Sequence, residues 1–291
     1  MLSWIVSGIE YQLNDFQYAK MLEHEGFGLP AIRRLEERGP LQQGVTDRGF
    51  RYEPRTIILT LAVSGDSLDD YYAKRHVLTD AFKARNRSGR LRFSYGAVVR
   101  EIRGNAIGDS LQFSGGRDYK TQRAVVAIRC PDPTWYDPTG VSIDFNLGIG
   151  GETLEVPMDV PMPVGVSTLD DSQAVVYPGT AETFPTIRIT GPIEDCAITH
   201  EQTGLKLDFD GVTIPGGEWI EVDTRYGRKT VIDQDGNNRI ADLTPDSDLA
   251  LFSILPDPDM IGGSQSFRVT GLAVDVSTNI SLSYLVRYIG V

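Results

Sequence analysis

The sequence predicts a mainly β protein with one long helix: an α+β module at the N-terminus, followed by a β-sandwich. Three observations carry this. Short runs of β-branched and aromatic residues recur between Gly, Pro, Asn and Asp turns. Only Ser67 to Gly89 spaces its apolar residues at a helical period, and beyond Thr139 no helical stretch exceeds a few residues. At 291 residues and 41% hydrophobic content, the chain has material for one large or two ordinary domains with buried cores.

Taken in order, residues 1–18 alternate loosely, and Trp4, Val6, Tyr11 and Leu13 are the expected inward side chains of one or two short strands. Met21 to Gly39, with its charges and flanking glycines, reads as a loop, partly helical after Pro30. Phe50 to Ser64 is a β-branched run in which Ile57, Leu59, Leu61 and Val63 alternate with Thr56, Ile58, Thr60 and Ala62, so a strand is expected. In the helix, Leu68, Tyr71, Leu78 and Phe82 fall along one side, widened by Tyr72 and Ala81. Ser67 is placed to cap its start, Asp69 and Asp70 suit its first turn, and Lys83, Arg85 and Arg87 its last. Gly89 would supply a left-handed exit.

Arg90 to Tyr95 and Val98 to Gly104 form a hairpin about Gly96-Ala97, and strands over Asn105 to Ser114 and Lys120 to Cys130 follow. A helix between strands makes an α+β layer. CPDPTWYDPTG, Cys130 to Gly140, breaks the pattern with three prolines and is the expected boundary between residues 1–139 and 140–291. A second proline cluster, Val156 to Gly165, reads as an extended arm. Beyond it come short β segments at Ala174 to Tyr177, Thr186 to Thr190, Ala197 to Thr199, Lys206 to Phe209, Trp219 to Asp223, Lys229 to Ile232, Leu249 to Ile254, Ser266 to Leu272 and Ile280 to Tyr288. Many short strands at this spacing indicate a sandwich.

The net charge of −12 is unevenly spread: residues 1–139 hold 20 Lys and Arg against 17 Asp and Glu, whereas residues 140–291 hold 8 against 23. The acidic half is unsuited to gripping phosphate backbones. No run approaches the roughly eighteen apolar residues of a spanning helix, and the N-terminus lacks the pattern of a signal peptide, so no membrane association is expected and a cytoplasm is the default site of synthesis. Cys130 and Cys196 are too few for a disulfide framework and too far apart for zinc.

No constellation for chemistry emerges, so no catalytic residue, metal or cofactor is expected. His24, His76 and His200 have no partner at a ligand spacing. Asp233, Asp235 and Asn237 begin like a calcium loop, but Asn238 and Thr244 stand where Gly and Glu are required, so a hairpin turn is the better reading. Asp170-Asp171 and Glu194-Asp195 read as solvated pairs. Trp219, Tyr226, Phe252 and Tyr177 are candidates either for core packing or for stacking on sugars. Arg48, Arg51 and Arg55 form a basic cluster beside the first strong strand, a candidate ring interface or channel lining.

One set of segments is more specific. Tyr177-Pro178-Gly179, Phe184-Pro185-Thr186-Ile187-Arg188-Ile189-Thr190-Gly191-Pro192, Glu221-Val222-Asp223-Thr224 and Lys229-Thr230-Val231 resemble, in order and spacing, the C-terminal half of siphophage distal tail proteins (Dit). Asp246-Ser247-Asp248-Leu249 and the following Phe252 and Ile254-Leu255-Pro256 fit the next segment. Tyr52-Glu53-Pro54-Arg55, the helix and Gly89-Arg90-Leu91-Arg92-Phe93 match the first half more loosely. Val222, where Ile is common, and the proline-rich Val156 to Gly165 depart from the simplest pattern.

The resemblance implies a structural virion protein at the distal end of a long non-contractile tail. Its N-terminal module would close into a homo-oligomeric, hexameric ring between the tail tube protein and the tail hub protein. A galectin-like C-terminal sandwich would lie outside, where adhesion or receptor-binding proteins dock, and genome DNA would pass the lumen without sequence-specific binding. If copies of the basic half line that channel, the lumen repels DNA less than the exterior does. A carbohydrate-binding sandwich for host-surface recognition is the alternative, and a wall hydrolase lacks the carboxylate or metal site it needs.

Overall fold

The computed structural model describes residues 1–83, 88–108, 111–114, 121–146, 167–256 and 263–291. It divides into two compact units, Met1–Pro138 with Arg287–Val291, and Thr139–Val286. The sequence reading kept the whole C-terminus in the second part; the structure returns the last five residues to the first.

In the first unit, β1 (Leu2–Val6) and β2 (Ile9–Gln12) form a hairpin. Its two turn residues, Ser7 and Gly8, have φ of 53° and 81°, the pair of positive values that matches strand twist in a two-residue turn. β3 (Lys20–Glu25) follows, then β4 (Ile32–Glu37) and β5 (Thr46–Tyr52), which pair only with each other among the described strands. β6 (Arg55–Val63) alternates as expected: Ile57, Leu59, Leu61 and Val63 are fully buried. After α1 (Leu68–Ala81) come β7 (Gly89–Tyr95), β8 (Val98–Ala106), β9 (Gln112–Phe113) and β10 (Gln122–Cys130). β10 lies antiparallel to β6 from Gln122 opposite Val63 to Cys130 opposite Arg55, with β3 on the far side of β6. β7 and β8 turn at Gly96, φ 56°, and β1 pairs with β7.

The helix closes this sheet. Ser67 caps it, its hydroxyl accepting from the Asp70 N–H at 3.2 Å. Tyr71, Leu78, Ala81 and Phe82 are buried in a core with Trp4, Leu59, Val126 and Trp135, and Phe82 stacks on Trp4 at 5.5 Å between centroids. Two expectations are corrected. Leu68 is 54% exposed rather than inward, although Tyr71 in the same turn is buried. The helix also stops at Ala81, so Gly89 is no exit residue but the first residue of β7, where a Cβ would fall inside the Trp4 indole. Arg85, Arg87 and the Val156 to Gly165 cluster lie outside the described residues.

β11 (Trp135–Asn146) leads into the second unit. The expected proline break is thus a strand, since only Pro138 falls within it and the other two prolines precede it. The second unit holds β12 (Thr168–Val176), β13 (Thr186–Thr190), β14 (Ile193–His200), β15 (Lys206–Asp208), β16 (Thr213–Ile214), β17 (Trp219–Asp223), β18 (Thr230–Asp233), β19 (Ser264–Leu272) and β20 (Asn279–Tyr288). They make two antiparallel arrays, β18-β17-β13-β20 and β12-β19-β14-β15, with β16 beside β14. Ile187, Ile189, Ile220, Val222 and Leu282 bury one face of the first array; Ile198, Leu207, Phe267 and Val269 bury one face of the second. The expected strand at Leu249 to Ile254 is instead a turn ending in a single bridge, Ile254 to Thr183.

Candidate functional site

The chemistry-bearing residues do not converge. The His24 ring stacks on Phe27 at 4.1 Å, and His76 is exposed on α1. His200, the last residue of β14, is fully buried opposite Phe267 of β19. Gln265 Oε1 accepts from the Leu255 N–H at 3.0 Å and meets His200 Nε2 at 2.9 Å, while Thr203 N–H donates to His200 Nδ1 at 3.2 Å. Both ring nitrogens are thereby committed to packing strands and turns. Burial pushes the thiols of Cys130 and Cys196 up to about 12, too high for a nucleophile. Among the described residues no group of His, Cys, Asp and Glu is arranged to hold a metal ion.

The other acidic candidates have local structural roles. Asp233 Oδ1 accepts from the backbone N–H groups of Asp235 at 3.0 Å and Asn237 at 2.9 Å, closing a turn at Gly236, φ 81°. Those hydrogen bonds hold its carboxyl below the usual range, Asn237 supplying the largest part. Asp170 is paired with Arg268 through both oxygens at 2.7 and 2.6 Å. Asp195 accepts from the Gly211 N–H at 2.8 Å. Of the aromatic candidates, Tyr177 and Phe252 are buried. Trp219 carries the Arg188 guanidinium 4.2 Å from its ring centroid. Tyr226 is 71% exposed, with its ring against Phe184 at 4.5 Å and Lys229 Nζ 4.9 Å away.

What remains is surface, and the most open part of it is the β4–β5 ribbon. Except for Leu35, Gly39, Gln42 and Tyr52, which are partly covered, every residue from Ile32 to Tyr52 is exposed, including Ile32, Leu41, Val45 and Phe50. Its charges pair internally, Arg34 with Asp47 at 2.9 Å and Arg48 with Glu37 at 2.6 Å. Arg33 and Arg51 stand directly opposite each other. A lone two-stranded ribbon is marginal in water, and like charges face to face weaken it further. The sequence reading missed β4 and most of β5, joining Phe50 to Tyr52 to the strand that follows, because the ribbon is exposed on both faces, which removes the alternation that marks a half-buried strand. Gly44 and Gly49, φ 83° and 109°, were the available turn and bulge signals.

The three arginines of the sequence cluster separate. Arg48 and Arg51 lie on the exposed ribbon. Arg55 does not: it is 4% exposed, and its guanidinium donates to the carbonyls of Gly26 and Gly28 at 2.9 Å each, to Phe27 at 3.4 Å, and to Ile289. It ties the 26–28 loop and the end of the chain to the start of β6, and it cannot line a channel.

Known proteins match this arrangement. Residues 15–111 match the model of the phage tail protein RIFT-related domain family. Over its whole length the chain is similar to SPP1 Dit, described as a paradigm of the hub adsorption apparatus in phages infecting Gram-positive bacteria, with TM-score 0.68, 14% identity, and 99% of each chain covered. The fold is that of SPP1 Dit. A chain of the phage P2 baseplate in its activated conformation with calcium is similar more distantly, with TM-score 0.50, 11% identity, and 97% of this chain and 98% of that one covered. No curated protein matches. These matches bear out the distal-tail resemblance read from Phe184 to Pro192 and its neighbouring segments.

Proposed function

We propose that this protein is a structural component of a long non-contractile phage tail, placed in the virion at the distal end. In this reading its first unit closes into a hexameric ring that joins the tail tube protein to the tail hub protein. The second unit is a galectin-like sandwich outside the ring, offering its surface to adhesion or receptor-binding proteins. The observation that carries the reading is the likeness, over 99% of each chain, to a hub protein of the adsorption apparatus.

The ribbon supports the ring. Its exposed Ile32 and Phe50, and the opposed Arg33 and Arg51, gain if a neighbouring copy covers one face. Arg48 and Arg51 are therefore interface candidates, and Arg55 is not.

Light scattering on the purified full chain, with negative-stain images, tests this. The expected result is a sixfold particle with a central opening. A persistent monomer at high concentration that binds a glycan array would overturn it in favour of a carbohydrate-binding module.

A further inference from the structure

The second unit carries one cationic turn in an acidic stretch of chain. Of the eight Lys and Arg residues in 140–291, three fall within Arg225–Lys229, between β17 and β18, and they flank Tyr226 and Gly227. Among the described residues no aromatic side chain is more exposed than Tyr226, at 71%. The turn that presents it is braced. Thr224, fully buried, donates from its N–H and its hydroxyl to the Pro185 carbonyl, at 3.2 and 2.7 Å, which fixes where the turn begins. The N–H groups of Arg228 and Lys229 both donate to the Arg225 carbonyl, at 3.1 and 3.2 Å. Lys229 is held at φ 40°, a left-handed conformation that costs a lysine free energy and persists only where its surroundings impose it. Its ammonium lies 4.9 Å from the Tyr226 ring centroid and 5.2 Å from that of Phe184, and donates to the carbonyls of Leu249 and Ala250 at 3.2 and 2.9 Å. The Phe184 and Tyr226 rings meet at 4.5 Å, tilted by 65°. A ring held in this way loses little freedom when it meets a ligand.

The charge beside the ring is in surplus. Arg225 already satisfies both oxygens of Asp223, at 2.8 and 2.7 Å, whereas Arg228 stands 3.8 Å from the same carboxylate with its side chain 61% exposed. A Cβ on Gly227 would meet nothing within 4 Å, so the surface between Tyr226 and Arg228 in the chain is open. Trp219 is less available, because its ring already carries the Arg188 guanidinium. The chemistry that fits an open aromatic ring beside a spare guanidinium is a sugar bearing an anionic group. The flat ring takes the C–H face of a saccharide, and the guanidinium fork matches a carboxylate or a phosphate. A protein segment finds no apolar core here, since the residues flanking Tyr226 are charged or glycine. A densely charged polyanion is repelled by the 23 Asp and Glu of the same half.

We propose that the Arg225–Lys229 turn is a binding site for an anionic saccharide, whose sugar ring stacks on Tyr226 and whose carboxylate or phosphate pairs with Arg228. Lys229 positions the aromatic ring and is not itself a contact. The site lies wholly within the second unit, so it stands whether or not the first unit closes into a ring.

Saturation-transfer difference NMR on the full chain tests this, with mannose 6-phosphate and a hyaluronan tetrasaccharide as the phosphate and carboxylate probes. Mannose and maltotetraose are the neutral controls, hexaglutamate the acidic peptide, and tripolyphosphate a competitor. An anionic sugar is expected to bind at least about tenfold more tightly than its neutral counterpart, with transfer chiefly to its ring protons. Binding of both probes, or of one, supports the site and tells which anionic group it takes. Tyr226→Ala should abolish binding and Tyr226→Phe keep it, while Arg228→Gln should bring the anionic sugars down to the level of the neutral ones. Circular dichroism melts confirm that each variant folds, and Tyr226→Phe with Arg228→Gln carry the test if Tyr226→Ala does not. Neither anionic sugar binding, or binding unchanged in Tyr226→Ala, overturns the site. Equal binding of hexaglutamate overturns it in favour of an acidic protein segment, and displacement by an equal concentration of tripolyphosphate reduces it to a cation patch and overturns it as well. A sixfold particle that binds no sugar removes this site and leaves the tail reading standing.

Discussion

Arg55 is surrounded by acceptors from three consecutive loop residues and from the chain's end, so its loss leaves several carbonyls without a donor. Arg55→Ala is expected to cost about 3 kcal/mol in urea unfolding, with Arg55→Lys recovering part of it through a single donor head. Asp223 offers a second test at this scale. Burial opposes its charge, but Arg225 grips both carboxylate oxygens at 2.8 and 2.7 Å and holds its pKa below the usual carboxylate value. The folded pKa being lowered, the stabilisation is present above the unfolded value of about 3.9 and is lost as pH falls through the folded one. Asp223→Asn should therefore flatten the fall in stability on acidification below about pH 4, measured as urea midpoints across that range. These two arginines look alike in sequence, each near an acidic neighbour. Position in the fold separates a buried strut from a surface clamp.

At the scale of elements, α1 divides sharply along its length. Phe82 sits against Trp4, whose indole N–H donates to the Ala81 carbonyl at 2.8 Å, so Phe82→Ala opens a cavity in the core and is expected to cost roughly 3–5 kcal/mol. Leu68→Ala, at the exposed end of the same apolar stripe, should change stability by less than about 0.5 kcal/mol. Equal costs in thermal or urea unfolding would show that the first turn packs after all. Gly89→Ala should be as damaging as a core deletion, because the added methyl and the Trp4 ring need the same space and β7 cannot move without leaving β1. Periodicity announced the helix because one buried face repeats every 3.6 residues. The β4–β5 ribbon stayed hidden because a strand exposed on both faces has no such repeat, and β11 because proline is a weaker veto near a strand's start than in its middle.

For the whole molecule, each unit has its own core and its own buried thiol, Cys130 in the first and Cys196 in the second. Both should be inert to alkylation in the folded protein, and each should become reactive only when its unit opens. Titrating urea while mapping labelled peptides by mass spectrometry is expected to release the two at different concentrations; simultaneous release would mean that the units unfold as one. The uneven charge belongs to this scale as well. The acidic second half suits a particle surface in water, while the nearly balanced first half joins its charges across strands, as Glu101 does with Arg90 and Arg92.

The sequence by itself determined the mainly β fold class, the helix, the strands with one buried face such as β6 and β10, and the distal-tail resemblance, because burial writes a period into a chain and turns demand particular residues. Tertiary structure alone decided which arginine is buried and which is offered, and that the last five residues rejoin the first unit. Those are relations between residues far apart in sequence, set by strand order and register, and no local spacing encodes them.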